Sequence, residues 1–182
     1  MSKINEQMFE ITRYLFNHNV KDVDSLYEKL VVNRKKKIKC FTVRKIDEKN
    51  MRIMDEDISL ANFKRIVRLM ENIVILTKEP LTLLDDSKKE LRGNIKINFS
   101  KLLKKNIESY FSARGISISS LKKDVIKNIQ FPSLRNHKTI HKKVKKLMAP
   151  TKIVSAGDFS KLLTLLSDIG IIKRDSSIQY VE

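Results

Sequence analysis

Apolar residues recur every three or four positions over most of this chain, a spacing that predicts amphipathic helices. One helix is predicted from Ile4 to His18, a second behind a cap at Asp22 or Asp24, and a third behind a cap at Ser59. The inward positions predicted for the second and third helices are Val23, Leu26, Tyr27, Leu30, Val31, Leu60, Phe63, Ile66, Val67, Met70 and Ile73.

The segments around the third helix follow other patterns. Residues 38–43 alternate weakly and predict a strand, whereas the acidic run at residues 55–57 is predicted to be a loop. Residues 74–84 predict a β-hairpin that turns at Lys78, Glu79 and Pro80, because proline suits a turn and not a central strand. Gly93 and Asn94 then interrupt the pattern, and a domain boundary is predicted there.

Helical spacing resumes after this boundary. One helix is predicted from Asn98 or Ser100 to a stop at Gly115, with the inward positions Phe99, Leu102, Leu103, Ile107, Tyr110 and Phe111. A further helix is predicted behind Ser119 and ends before Pro132, and residues 137–148 predict a strongly basic amphipathic helix that Pro150 ends.

The final segment combines a helix with a hairpin. Asp158 is a good helix cap, and Gly170 stands where a helix end needs a left-handed residue. Two short strands are predicted at residues 171–172 and 178–181, with turn residues between them. The apolar stripe of the helix consists of Phe159, Leu162, Leu163, Leu166 and Ile169.

The same succession occurs earlier in the chain. At an offset of 96 the stripe of the third helix falls on the stripe of the last helix, and the strand after it also matches. Upstream, residues 23–26 match residues 118–121 at an offset of 95. Self-similarity at a fixed period indicates a repeated structural unit. The sequence therefore predicts two copies of one small domain.

Helix, glycine and a short basic hairpin is the order of the recognition helix and wing in winged-helix domains, and residues 158–182 resemble that superfamily. The resemblance and the repeat together predict a mainly α protein with small β-hairpins, in the α+β class, built of tandem winged-helix domains. The first domain is predicted over residues 1–94 and the second, strongly basic domain over residues 95–182.

The resemblance implies that the helix before each wing enters the major groove of DNA and presents polar or basic side chains to the bases. In the first copy this implies the contacts Lys64, Arg65 and Arg68, with Lys78 on the wing. In the second copy it implies Ser160, Lys161, Thr164 and Ser167, with Lys173 and Arg174 on the wing.

The chain departs from the simplest winged-helix pattern, because a long basic segment separates the second and third helices of each copy. Lysine and arginine neutralise phosphates and release counterions, so these segments are further candidates for DNA contacts. The groove-reading element is therefore either the helix before the wing or the basic helix at residues 137–148. The candidate residues are Arg34, Lys35, Lys36 and Lys37 in the first copy and Lys138, Lys142, Lys143, Lys145 and Lys146 in the second.

Charge supports a polyanionic partner. The formal net charge of the 182 residues is +17. Residues 1–95 hold 20 basic and 15 acidic residues, whereas residues 96–182 hold 18 and 6. Such a bias toward one half is typical of a protein that binds nucleic acid. We therefore expect double-stranded DNA as the partner and, through the less basic first domain, possible contact with another protein.

Candidate chemistry is sparse. His137 and His141 stand four positions apart without further ligands nearby, and the acidic runs at residues 55–57 and 85–86 lack the spacing of a nuclease site. No phosphate-binding glycine loop and no Ser-His-Asp pattern occurs. The expectation is a protein that is not an enzyme and has neither a metal nor a cofactor.

The sequence also gives expectations for the cellular location and the function of the protein. Cys40 alone cannot form an internal disulfide, and no run of about 18 apolar residues predicts a membrane segment. A cytoplasmic protein, nucleoid-associated if prokaryotic, is expected. The function that fits best is a DNA-binding regulator or a replication or partition factor. The alternatives are a non-catalytic subunit of a nucleoprotein complex and a metal-dependent nuclease.

Overall fold

The computed structural model describes residues 2–35, 38–47, 52–113 and Leu165. These residues are mostly helical, with two small antiparallel hairpins, so the α+β class is confirmed. The chain divides into two compact units; Lys3–Phe99 belong to the first, and the second begins at Ser100. The domain division between residues 94 and 95 stays a prediction.

The first unit begins with two helices that the sequence anticipated. Helix α1 spans Lys3–Asn17 and buries Met8, Ile11 and Leu15. Helix α2 spans Val23–Tyr27 and continues into a π-helical turn over Glu28–Val32. The predicted stripe of this segment is confirmed at Leu26, Leu30 and Val31, which are all buried.

Asp22 is the cap of α2. Its Oδ1 accepts a hydrogen bond from the backbone N–H of Ser25 at 2.7 Å. The backbone and side-chain donors of Ser25 lower the pKa of the Asp22 carboxyl below its ordinary value. A carboxylate bound in this way satisfies one of the free N–H groups that every helix start exposes.

This cap predicts a pH dependence. Because the pKa is lower in the folded than in the unfolded chain, the cap stabilises the fold fully above the unfolded pKa, near 3.8. The contribution disappears as pH falls through the folded pKa. We expect wild type to lose its stability advantage over Asp22→Ala in this acidic range. Asp22→Asn, a neutral cap of similar quality, should keep its advantage there. Urea midpoints measured across this pH range would show parallel curves for all three proteins if the carboxylate were not involved.

Helix α3 spans Leu60–Asn72 and supplies the centre of the core. Ser59 caps it, since the Ser59 Oγ accepts the N–H of Asn62 at 3.3 Å. The predicted inward stripe is confirmed from Phe63 to Ile73, and Leu60 is half-buried at the edge. The ring of Phe63 lies 5.4 Å from Tyr27 and 5.5 Å from Phe41 between ring centroids.

A hairpin follows α3 directly. The chain turns at Val74, which has a positive φ of 59°, and the short strands β3 (Leu76–Lys78) and β4 (Leu81–Leu83) pair antiparallel. Leu76, Leu81 and Leu83 are buried, so one side of this hairpin belongs to the core. The predicted hairpin, with its turn at Glu79 and Pro80, is confirmed.

A second hairpin lies between α2 and α3, where the sequence reading was wrong in two respects. Strands β1 (Thr42–Asp47) and β2 (Arg52–Asp57) pair with Thr42 opposite Asp57 and Ile46 opposite Ile53. The acidic run at residues 55–57 is thus part of a strand, and Asp55 and Glu56 form ion pairs with Arg44 and Lys45 of β1. The predicted strand at residues 38–43 is instead a 3-10 turn over Lys39–Phe41, whose Phe41 is fully buried, and β1 begins at its end.

The base of this hairpin is fastened to the core. Lys3 of α1 donates to the carbonyl of Thr42, and Gln7 donates to the carbonyl of Cys40 at 2.7 Å. The Ile58 N–H donates to the carbonyl of Phe41 at 2.6 Å. Beyond this base the strands contact mainly each other. We call residues 42–57 the ribbon.

The described chain ends with two helices. Helix α4 spans Asp85–Glu90, and Gly93, with a φ of 87°, separates it from α5 at Ile95–Ser112. The start predicted at Asn98 or Ser100 was too late, because the Asn94 Oδ1 accepts the N–H of Ile97 at 3.2 Å and so caps the helix earlier. All the inward positions predicted for this helix are buried: Phe99, Leu102, Leu103, Ile107, Tyr110 and Phe111.

Leu165 is the one described residue of the predicted final helix. It is helical, in agreement with a helix behind Asp158, and it is fully buried although it lies outside the predicted stripe. The stop at Gly115, the helix behind Ser119, the basic helix at residues 137–148 and the last hairpin lie outside the described residues. Among the helices that the structure describes, none is long and apolar enough to cross a bilayer.

Candidate nucleic-acid interface

The outer face of α3 carries the basic residues that the sequence proposed for the first copy. Lys64, Arg65 and Arg68 are all exposed, because the apolar stripe of the helix turns the opposite face into the core. Lys78 lies at the end of β3, half-exposed. The helix and the hairpin that follows it therefore display these cations from consecutive elements.

Acidic neighbours neutralise two of these four cations. The Lys64 Nζ lies 2.7 Å from the Asp24 Oδ1, and the Lys78 Nζ lies 2.7 Å from the Glu71 Oε2. Exposed pairs of this kind contribute little to stability. They do, however, cancel charge that a phosphate would otherwise meet.

Arg65 and Arg68 differ from these lysines. Neither forms an ion pair with a carboxylate anywhere in the part of the chain that the structure describes. Residues three positions apart are neighbours on a helix surface, so the two guanidinium groups share one face. Arginine donates through a planar fork that matches phosphate oxygens and the edge of guanine. These two guanidinium groups are therefore the candidate anion contacts on α3.

Arg34 has a different environment. Its side chain is only 6% exposed; it forms an ion pair with Asp57 and donates to the carbonyl of Leu30 at 3.4 Å. The guanidinium thus joins the end of the π-helical turn to the base of the ribbon. Because it is enclosed, we leave Arg34 out of the candidate interface. The neighbouring Lys35 is exposed.

The other sequence candidates fall outside the described residues, and their role stays a prediction. They are Lys36, Lys37, Lys138, Lys142, Lys143, Lys145, Lys146, Ser160, Lys161, Thr164, Ser167, Lys173 and Arg174.

A cleft of about 450 Å³ opens beside Lys64, where the start of α2 faces the turn of the β3–β4 hairpin. Its charged lining is balanced, with three lysines and three acidic residues, so it offers no net attraction to a polyanion. The lining residues are Lys21, Asp22, Val23, Asp24, Lys64, Lys78, Glu79 and Pro80.

Two surfaces were missed by the sequence reading. The ribbon exposes apolar side chains, and the occurrence of basic residues 44–45 and acidic residues 55–56, which form two ion pairs across the strands, could have revealed it. The exposed face of α5 carries Lys101, Lys104 and Lys105. These lysines are exposed because the buried residues of α5 occupy other positions of the helix. The sequence prediction named those buried residues but not the basic face that they leave exposed.

Reactive chemistry is limited in the described chain. Cys40 is buried, and burial raises the pKa of its thiol to about 12, so the thiol stays protonated near neutral pH. Within residues 2–35, 38–47 and 52–113, no group of three or more His, Cys, Asp or Glu side chains could hold a metal ion. The acidic side chains at 55–57 instead pair with Arg44, Lys45 and Arg34.

Comparison with known proteins supplies no relative. No protein-family model matches the chain, and no match was found among curated proteins or among solved structures.

Proposed function

We propose that this protein binds double-stranded DNA through two winged-helix domains, and that it acts as a regulator or as a replication or partition factor. The observation that carries the proposal is the pair Arg65 and Arg68, which is exposed on α3 without a carboxylate partner among the described residues. In the proposed complex α3 lies against the duplex, and the β3–β4 hairpin is the wing.

The order of elements supports this assignment. Three helices, α1, α2 and α3, are followed at once by a two-stranded hairpin, which is the order of a winged helix. In the first copy, the ribbon between α2 and α3 accounts for part of the long segment that departs from the simplest pattern. Leu69 and Leu165 stand at the offset of 96 and are both helical and buried, in keeping with a repeated unit.

The charge distribution extends the proposal to the second half. Residues 96–182 carry a net charge of +12, from 18 basic and 6 acidic residues. The phosphate backbone supplies most of the attraction in protein–DNA complexes, so the more basic half contributes most of the affinity. In this scheme, α3 of the first unit adds a weaker second contact.

A second candidate is a non-catalytic subunit of a nucleoprotein complex, in which the first unit docks a protein. The neutralised Lys64 and Lys78 and the balanced cleft beside them favour this candidate, because they reduce the attraction of that unit for DNA. Both candidates require DNA binding by the full chain.

The test is a salt titration of duplex binding. We expect the full chain to bind a labelled random duplex with a logarithmic affinity that falls linearly with the logarithm of salt concentration. About five phosphate contacts predict a slope of about −4.5. Fluorescence anisotropy would measure the slope, and competition by unrelated duplex would separate a regulator from a general DNA-coating protein. Absence of binding at low salt, or a slope near zero, would refute the proposal.

A further inference from the structure

Helix α5 carries a basic face on the side that points away from its buried residues. Its sequence holds four lysines and one acidic residue, the half-buried Glu108. Two of the lysines follow a third at three and four positions, a spacing that places all three on one face of the helix. All three are exposed, and we call them the α5 lysines: Lys101, Lys104 and Lys105.

Packing of the opposite side fixes the direction of this face. Leu102, Leu103 and Ile107 are at most 2% exposed. The rings of Tyr110 and Phe111 are also buried and lie 5.6 Å apart between centroids. A rotation that turned the α5 lysines inward would expose these apolar side chains to water and bury charge, and both changes are unfavourable. The lysines therefore face solvent because the other side of the helix is buried.

No carboxylate neutralises two of the α5 lysines. Lys101 and Lys104 take part in none of the ion pairs found in the described part of the chain. Lys64 and Lys78, by contrast, each lie 2.7 Å from a carboxylate oxygen. An anion that approaches α5 thus meets two cations on one face without first displacing an acidic side chain.

The repeat within the chain provides an internal comparison for α5. At the offset of 95, four buried residues of α5 fall on four buried residues of α1, so the two helices bury the same side. These residues are Leu102, Leu103, Ile107 and Tyr110, which fall on Gln7, Met8, Thr12 and Leu15.

The outer faces of the two helices nevertheless carry opposite charge. At the same offset Lys101 falls on Glu6, and Lys105 falls on Glu10. A general excess of lysine in the chain does not explain this difference, because the equivalent positions of α1 hold glutamates. The basic face is thus specific to the second copy, which also holds most of the net positive charge of the chain.

Backbone phosphates are the anions that suit this face. Lys101 and Lys105 stand about 6 Å apart along the helix axis, so both can contact one short stretch of a nucleic-acid strand. Lysine is a compact charge on a flexible stem and lacks the rigid fork with which arginine binds guanine. The exposed Ser109, one turn beyond Lys105, adds a hydroxyl of the kind that also contacts phosphates.

We propose that the α5 lysines contact the phosphate backbone of double-stranded DNA. They give the second unit, which begins at Ser100, a contact of its own in addition to the one proposed for α3. The inference rests on the proposed function, since it names a further surface for the same DNA. Because phosphate contacts carry no sequence information, α5 contributes equally to the binding of every duplex.

The test replaces Lys101 and Lys104 together with alanine in the full chain. Two lost phosphate contacts should make the slope of logarithmic affinity against logarithmic salt concentration less negative by about 1.8 and weaken binding about tenfold or more at low salt. The conservative double variant Lys101→Arg and Lys104→Arg keeps both charges and should keep the wild-type slope. Fluorescence anisotropy with duplexes of unrelated sequence measures both quantities, and the fold loss should be the same for each duplex.

The matched control replaces Lys21 and Lys29 with alanine. Both are exposed lysines of the first unit that form no ion pair within the described residues, and their removal should leave the slope unchanged. All variants should keep the wild-type urea midpoint, because none of the changed side chains is buried.

The outcomes separate this inference from the proposed function. Absence of duplex binding by wild type at low salt would refute both. DNA binding by wild type with an unchanged slope for the Lys101 and Lys104 alanine variant would overturn the α5 contact alone. An equal change of slope for the Lys21 and Lys29 control would also overturn it, because the effect would then reflect net charge. A loss confined to one duplex sequence would assign these lysines to base edges and contradict the backbone contact.

Discussion

Replacing Phe63 with alanine should lower the free energy of unfolding by about 3–5 kcal/mol, the range found for large aromatic side chains removed from a packed core. Phe63 is fully buried, and its ring contacts Tyr27 from α2 and Phe41 from the 3-10 turn. These three rings join separate segments of the first unit. The loss therefore combines a cavity with the loss of edge and tilted ring contacts.

Urea unfolding followed by circular dichroism measures this effect, and Leu60→Ala is the matched control. Leu60 lies on the same helix but is only half-buried, so its truncation should cost about 1 kcal/mol. Both changes place alanine, a strong helix former, in α3, which makes helix propensity a minor difference. Equal losses of stability for the two variants would contradict the placement of Phe63 at the centre of the core.

Replacing Arg65 and Arg68 together with alanine should make DNA binding less sensitive to salt. The slope of the logarithm of affinity against the logarithm of salt concentration should become less negative by about 1.8, because each lost phosphate contact removes about 0.9. Both side chains are exposed and lack a carboxylate partner in the described part of the chain. Their removal should leave stability within about 0.5 kcal/mol of wild type, as is usual for surface changes. Anisotropy titrations at several salt concentrations would measure the slope.

The matched control is the double substitution Lys64→Ala and Lys78→Ala. It removes the same formal charge, one lysine from α3 and one from the hairpin that follows it, but these lysines already contact Asp24 and Glu71. Because their charge is neutralised locally, we expect a smaller change of slope than for the arginine pair. A larger effect from the lysine pair would show that the two salt bridges open when DNA binds and would assign the contact to the cleft side of α3. An unchanged slope for the arginine pair would remove α3 from the interface.

Local chemistry explains which elements could be predicted. Ser59 and Asp22 cap helices because their side chains accept N–H groups only three residues away, an interaction that depends on sequence neighbours alone. The stripe of α3 was equally clear, since helical spacing places Phe63 and Ile73 on one face. For the same reason the exposure of Arg65 and Arg68 followed directly from the sequence.

The ribbon and Arg34 show where such reasoning failed. Acidic residues 55–57 have a poor tendency to form a strand by themselves, and their pairing with β1, which places Asp55 opposite Arg44, joins residues that are separate in the sequence. Arg34 stood in a basic run typical of a phosphate contact, yet Asp57, distant in sequence, takes up its charge. Partners of this kind become visible only when the chain has folded.

The sequence by itself determined the helices α1, α2 and α3, the caps of α2 and α3, the buried stripes and the excess of positive charge, because each depends on residue spacing or on composition. The tertiary structure alone decided which cations remain available: Arg65 and Arg68 are exposed and unneutralised in the described chain, whereas Lys64, Lys78 and Arg34 are paired. The physical reason is that the effect of a charge depends on its nearest opposite charge and on its access to water. Folding sets both by bringing distant residues together.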